Sequence, residues 1–350
     1  MENLRHNVKT LRNILPDTCQ LMPAVKADAY GHGAIAICKE LNRLHVRAFC
    51  VASVMEGVEL RKKHIKGKIL ILGYTHPEQF YLLRRYRLMQ TVIDHEYAKT
   101  LNDYGKKLRV HIGIDTGMKR LGERSENMDK ILQICKFENL IIDGIYSHFS
   151  AQSDTFTQMQ VETFHDVLQK LKEGGVSIPK SHLQGSYGVL KRPDLSFDYA
   201  RVGIALYGAM GEGDSADLRP VLSVKARISI VKEVRAGEAV GYGLGFRAPH
   251  DMKIAVLSIG YADGIPRALS CGVGHVLIGG AAAPIVGYVC MDQILVDLRN
   301  VKDVKQGDLA VLLGKDGSME ISALDIAKQA HTLPNEILSR LGKRLAKWAT

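Results

Sequence analysis

No run in the 350-residue chain approaches the roughly 18 consecutive apolar residues that a membrane-crossing helix needs. The opening MENLRHNVKTLRN is a polar helix pattern rather than a secretory signal, so no membrane contact is expected of this segment. Cysteine is sparse and unpatterned. Cys19, Cys38, Cys50, Cys135, Cys271 and Cys290 form no CxxC pair, which excludes a zinc knuckle or a disulfide framework and predicts reduced thiols, a cytoplasmic setting and no metal. Aromatic residues make up only 6%, too few for base-stacking platforms, so no nucleic-acid partner is expected. The formal charge of +10 is dispersed; its densest cluster, LLRRYRLMQ at 82–90, reads as a helix end running into a strand, with the cations on a solvated face. No low-complexity tract interrupts the chain. What is present in quantity is apolar, 46% of residues, and a chain of this length and composition predicts two domains.

Through the first 210 or so residues, eight short apolar segments (QLMPAVKA, RAFCVAS, GKILILGY, MQTVID, RVHIGIDTG, IIDGIYSHF, SHLQGS and YARVGIALYG) alternate with amphipathic stretches such as AIAICKELNRL and TFHDVLQKLKEGG. Eight strand–helix alternations predict a closed parallel (β/α)8 TIM-type barrel over residues 1–217, with its chemistry at the C-terminal strand ends. The polar residues at those ends are Lys26, Asp115, His148, Ser186 and Arg201. From 218 to 350 the texture changes. The segments LSVKARISIVKEV, KIAVLSIGYA, HVLIGG, APIVGYVCMDQILVDL and DLAVLLG follow one another through Gly-containing turns, predicting a mostly antiparallel β-domain closed by two helices, ISALDIAKQAH and LPNEILSRLGKRLAKWA.

A lysine at a strand tip, partly desolvated, loses some of its preference for the charged form and gains nucleophilicity towards carbonyl carbon. The plain alternative for Lys26 is a lysine snorkelling to the barrel rim. Its surroundings weigh towards chemistry. Tyr30, Gly31 and Gly33 supply a hydroxyl and a permissive backbone, while Ser186 and the amides of Gly203 and Ile204 supply donors at the last two strand ends, where barrels often hold a phosphate. A reactive lysine opposite a phosphate cradle points to pyridoxal 5′-phosphate (PLP).

VKADAYGHG, IDTGMKRLG, YSHFS, RVGIALYG, VGYG, IGYADG and VGYVCMDQ, in this order and spacing, resemble the motifs of the alanine racemase family of fold-type III PLP enzymes over nearly the whole chain. The resemblance implies that Lys26 carries PLP and acts as a base on one face of the substrate, with Tyr242 of the partner subunit in a homodimer acting on the other. Arg201 would donate to the pyridine nitrogen, and His148 would bond Arg201. Arg120 and the Met291 amide would meet the carboxylate of a small amino-acid substrate. Tyr30, Ser186, Gly203 and Ile204 would hold the phosphate, and Tyr261 would line the entrance with Arg267 further out and Asp292 beside Met291.

The chain departs from the family pattern in three places. Where many members carry a carbamylated lysine two residues before the Asp of DTGM, Gly113 stands, so Arg120 needs another positioning group, such as an anion or a water. Where the family has a tyrosine over the substrate, TLPNEIL offers Asn335, smaller and able both to donate and to accept. The strand that usually precedes the first helix is missing, as in a domain cut from a longer protein. Asn335 and that missing strand most resemble the racemase domain of the membrane-anchored serine racemases of vancomycin resistance, so racemisation of serine as well as alanine is expected. A housekeeping alanine racemase is the main alternative. A non-catalytic PLP-binding barrel lacks the second domain, and a fold-type III decarboxylase fits VGYG and CMDQ less well.

Overall fold

The structure is a computed structural model that describes residues 1–150, 153–211 and 216–349. It divides into two compact units, one of Arg5–Ala29 and Gly33–Leu206, the other of Met1–Leu4, Tyr30–His32 and Tyr207–Thr350.

In the first unit, six strands lie side by side and parallel in the order Ala48–Val51, Lys68–Ile71, Met89–Val92, Leu108–Asp115, Leu140–Tyr146 and Ser181–His182. Gln20–Leu21 and Tyr199–Ala200 pair in parallel with each other. Two bridges, Gly185 to Arg201 and Ala24 to Cys50, join this pair to the two edges of the six and close the ring. The expected eight-stranded parallel barrel is therefore observed. Closure explains the near-continuous apolar runs: Phe49, Cys50, Ile69, Leu70, Val110 and Ile112 are buried, because side chains on one strand face fill the barrel and those on the other meet the helices. The helices begin where side chains can take up their free amides. Ser53 and Glu56 form a capping box on Val54–Lys62, Asp94 caps His95–Asp103, and Ser153 caps Asp154–Glu173.

In the second unit, seven strands run in the order Val224–Val234, Met252–Leu257, Ile294–Asp297, Ala281–Val286, His275–Ile278, Leu309–Asp316 and Met319–Ile321, all antiparallel. The long strand Val224–Val234 pairs with Leu309–Asp316 along its first part and with Met252–Leu257 along its second, so this sheet also closes on itself. Two expectations need correction here. APIVGYVCMDQILVDL is not one strand: Gly287, at φ 65, turns the chain out of Ala281–Val286, and residues 287–293 form a loop before Ile294–Asp297. The last helix is also short. Pro334–Ser339 ends where Gly342 N–H donates to the Asp263 carbonyl, which takes the chain off the helix axis before the basic tail. Among the described residues no helix is long and apolar enough to cross a membrane.

Candidate active site

Lys26 stands at the C-terminal end of the first barrel strand, half-buried, one residue beyond the Val25 N–H that donates to the Cys50 carbonyl at 2.9 Å. The backbone then turns left-handed. Ala27, Asp28, Ala29 and Tyr30 have φ of 50, 53, 55 and 53°, and Gly31 follows at 77°. Each non-glycine residue in that region costs about 1–2 kcal/mol, so something must hold the turn. Glu56 does much of it: one carboxylate oxygen accepts from Ala27 N–H at 2.7 Å and the other from Ala52 N–H at 2.7 Å. Asp28 contributes from inside, accepting the Ala34 N–H at 2.7 Å.

Across the barrel Arg201 is buried. Its terminal nitrogens donate to His182 Nδ1 at 2.6 Å, the Ser147 carbonyl at 2.6 Å, His148 Nδ1 at 3.2 Å and the Leu183 carbonyl at 3.2 Å, and its guanidinium lies 4.7 Å from the centroid of the Tyr146 ring. Because an arginine only donates, both histidines must accept at Nδ1 and carry their proton on Nε2. His182 Nε2 then donates to His111 Nδ1 at 2.8 Å, and the proton of His111 falls on Nε2, a buried atom with no partner among the described residues. Burial, reinforced by Arg201, Arg120 and Lys26, pushes His148 down to about 3. Burial with Lys68, Arg201 and Arg109 takes His111 to about 3, and His182 lies well below the usual histidine value for the same reason. All three imidazoles are neutral at physiological pH, which suits them to accept from a fixed cation. Beneath Lys26, burial raises the Cys50 thiol to about 12 although Arg201 and Lys26 pull the other way.

Ser186 Oγ accepts from the amides of Gly203 at 2.9 Å and Ala205 at 3.1 Å, which leaves its hydroxyl proton to donate elsewhere. The Ile204 amide has no acceptor among the described residues. The site residues read from the sequence thus fall into close groups in the barrel: Arg201 with His148, and Ser186 with Gly203 and Ile204. Arg120 is exposed and makes no hydrogen bond among the described residues. A Cβ added at Gly113 would sit close to the Val92 carbonyl, at 3.1 Å, and in ordinary contact with Gly122 Cα at 3.5 Å. A lysine there would require the Val92 carbonyl to give way by a few tenths of an ångström.

The second unit holds the remaining residues. Tyr30 packs its ring 5.3 Å from that of Tyr207. Tyr242 projects from a turn with Gly241 at φ 77° and Gly243 at 62°, and is 72% exposed. Tyr261 and Ala262 amides donate to the Cys290 and Met291 carbonyls at 3.0 and 2.9 Å, which ties the Tyr261 turn to the Met291 loop. Asp292 pairs with Arg344 at 2.7 Å, and Arg267 lies over the Tyr288 ring. Asn335 is exposed on Pro334–Ser339, and neither it nor Tyr242 is hydrogen-bonded through its side chain to these residues. Sequence reading missed His182, His111, Glu56 and Arg344. The two histidines are visible as polar residues inside the apolar segments SHLQGS and RVHIGID, ahead of the strand ends where a barrel mouth places its chemistry.

The alanine racemase N-terminal domain family matches residues 1–211 and the alanine racemase C-terminal domain family residues 221–349. This chain belongs to the alanine racemase family. An amino-acid racemase of Enterococcus faecalis is 42% identical over 99% of this chain and 50% of that relative, and a serine/alanine racemase of Enterococcus gallinarum is 36% identical over 98% and 50%. The chain therefore spans about half the length of these curated relatives. The alanine racemase of Clostridium difficile 630 superimposes with a TM-score of 0.93 at 34% identity, over 99% of this chain and 92% of that one. Family membership brings PLP as cofactor, and the residues present suit it: the Nε–H of buried Arg201, the Ile204 amide and the Ser186 hydroxyl all lack acceptors, as donors awaiting a ring nitrogen and a phosphate would.

Proposed function

We propose that this chain is a PLP-dependent racemase that interconverts L- and D-serine, and alanine, with Lys26 and Tyr242 of the partner subunit as its two bases in a homodimer. In this reading residues 1–217 form the cofactor barrel, and 218–350 reach the neighbouring subunit's site. The observation that carries it is Arg201, buried among carbonyls and neutral histidines. When bound, PLP supplies an electron sink that acidifies the α-hydrogen of an attached amino acid. Arg201 cannot lose its proton, so its donation to the ring nitrogen keeps that nitrogen unprotonated and the sink weak, which favours returning a proton to the α-carbon over transamination. Lys26 binds the cofactor and moves a proton on one face, and Tyr242 of the partner subunit does so on the other. Ser186, Ile204 and Tyr30 hold the phosphate, Arg120 and the Met291 amide orient the substrate carboxylate, and Tyr261 narrows the entrance.

The serine assignment rests on Asn335, exposed and without a side-chain partner among the described residues. A substrate hydroxyl placed against an apolar wall loses about 1–3 kcal/mol, which a polar partner restores. That difference is roughly 5-fold to more than 100-fold in relative kcat/KM. Rates for L-serine and L-alanine should be measured on one preparation of the parent and of Asn335→Tyr. The variant should lose serine turnover selectively while keeping alanine turnover. An unchanged ratio would favour the second reading, a housekeeping alanine racemase, which the likeness to the Clostridium difficile enzyme over 92% of its chain supports.

A further inference from the structure

Cations that read as dispersed along the sequence are gathered by the fold on one side of the barrel's N-terminal end. The segments 43–47, 61–67, 84–88 and 104–108 lead into the strands Ala48–Val51, Lys68–Ile71, Met89–Val92 and Leu108–Asp115, which are neighbours in one parallel sheet. All four therefore lie side by side at the N-terminal end of the barrel, opposite the mouth that holds Lys26 and Arg201. Together they contain eleven Lys and Arg (Arg43, Arg47, Arg61, Lys62, Lys63, Lys66, Arg84, Arg85, Arg87, Lys106 and Lys107) and no Asp or Glu. The chain has 47 Lys and Arg against 37 Asp and Glu, so the rest of it, with 36 cations, is balanced, and the whole net charge sits in this sector.

Contacts between the segments hold the sector together. Asn42 donates to the Lys66 carbonyl at 3.1 Å and accepts the Lys66 amide at 2.8 Å, while Arg61 donates to the carbonyls of Tyr86 at 2.9 Å and Arg87 at 3.1 Å. Helices end here, and cations at helix C-termini offset the helix dipole; Arg47 and Arg61, spent on carbonyls, have that structural role. Lys107 likewise donates to the Glu138 carbonyl, and Lys106 and Arg85 lie over the rings of Tyr104 and Tyr86, which leaves Lys62, Lys63, Lys66, Arg84 and Arg87 without such a contact among the described residues. Among the described residues only Arg43 of the eleven has a carboxylate partner, Glu40 at 2.9 Å. Lys62, Lys63, Lys66, Arg84, Arg85, Arg87, Lys106 and Lys107 are exposed, and Arg61 is lowered from the usual arginine value by burial and by Arg87 beside it. Repulsion of this kind is tolerated where an outside anion relieves it.

Against the expectation from sequence of no membrane contact, we propose that this barrel end docks on an anionic phospholipid surface. Neighbouring strands lie about 4.8 Å apart, so four loops span roughly 15 Å and present their cations as a broad end rather than a groove following a phosphate backbone. A bilayer meets such an end all at once and attracts each cation near it. Docking in this way leaves the mouth at the opposite end open to substrate.

The test uses PLP-loaded enzyme, vesicles of phosphatidylglycerol and phosphatidylcholine in equal parts, and vesicles of phosphatidylcholine alone. Lys62→Glu/Lys63→Glu/Lys66→Glu is compared with Lys225→Glu/Lys232→Glu/Lys302→Glu, a matched change of charge in the second unit, and unaltered racemase turnover shows that both variants fold. The parent should sediment with anionic vesicles alone, at an ionic strength of about 0.01 M and not at about 1 M, where screening shortens from roughly 30 to 3 Å. The first variant should bind more weakly by roughly fivefold per cation removed, on the order of a hundredfold in all, and the second should bind like the parent. Absence of binding at low ionic strength, or equal losses in the two variants, would overturn the proposal. Tighter binding to a DNA duplex than to vesicles in the same buffer would overturn it in favour of a nucleic-acid partner.

Discussion

The turn after Lys26 and the turn around Tyr242 both enter left-handed backbone space, but they are held in opposite ways. The first uses Ala, Asp, Ala and Tyr, residues that resist positive φ, and is pinned by Glu56 and by Asp28. The second takes mainly Gly241 and Gly243, which adopt positive φ at little cost, with Leu244 its one strained residue at φ 54°, and it leaves Tyr242 and Leu244 at 72% and 70% exposure. Lys26 is placed by its own barrel at the expense of strain. The turn around Tyr242 carries such strain only at Leu244 and leaves its two large side chains bare, as the proposed role of Tyr242 in a partner subunit's site would require.

The sharpest break in this comparison is Lys26→Ala, which should lower racemase turnover by about 10³-fold or more and abolish the absorption of the cofactor imine. Retention of that absorption, with borohydride labelling another lysine, would reassign the role. Next comes subunit mixing. Lys26→Ala and Tyr242→Phe are each expected to be inactive, and co-refolding them should restore activity, because a hybrid dimer has one intact site. Hybrids shown to form yet inactive would mean that each site draws both bases from one chain.

A smaller effect concerns the histidines under Arg201. His111 and His148 lie at about 3 when folded, against about 6.5 unfolded, so between those pH values the unfolded chain binds more protons than the native one. Stability should therefore hold above about pH 6.5 and fall as pH drops towards 3, by up to about 1.4 kcal/mol per pH unit for each histidine, as urea midpoints at stepped pH would record. A flat profile would mean that these imidazoles are not buried neutral. The mildest test is Glu56→Gln. The carboxylate serves three backbone N–H groups, Ala27 at one oxygen and Ala52 and Ser53 at the other, and an amide with a single accepting oxygen must give up one of these sets, a loss of about 1–3 kcal/mol and a Tm lower by roughly 2–4 °C per kcal/mol. Tyr242→Phe should leave Tm unchanged, because no hydrogen bond to its hydroxyl exists among the described residues.

How far the fold could be read in advance follows from how local its signals are. The eight barrel segments announce themselves by apolar runs between amphipathic helices, and the residues at their ends were accessible by position alone. Of the imidazoles around Arg201, His148 was named through the family resemblance, but His182 and, behind it, His111 were not, because they come from strands far apart in sequence and only ring closure sets them in line with Arg201. The left-handed turn was hidden for the opposite reason. Nothing in the preferences of Ala27 or Ala29 favours it, and the residue that enforces it, Glu56, lies in another helix. In the second unit, the loop of residues 287–293 was masked by flanking segments that read as one apolar strand.

That turn also bears on the order in which the molecule assembles. Its local preferences oppose it, so it cannot nucleate early. It must wait until Val25 has docked on Cys50 and the capped helix Val54–Lys62 has brought Glu56 within reach of Ala27. The segment beside the cofactor lysine is thus among the last pieces of the barrel to settle, and a nascent chain gains its grip on the cofactor only once the first and second strands have met.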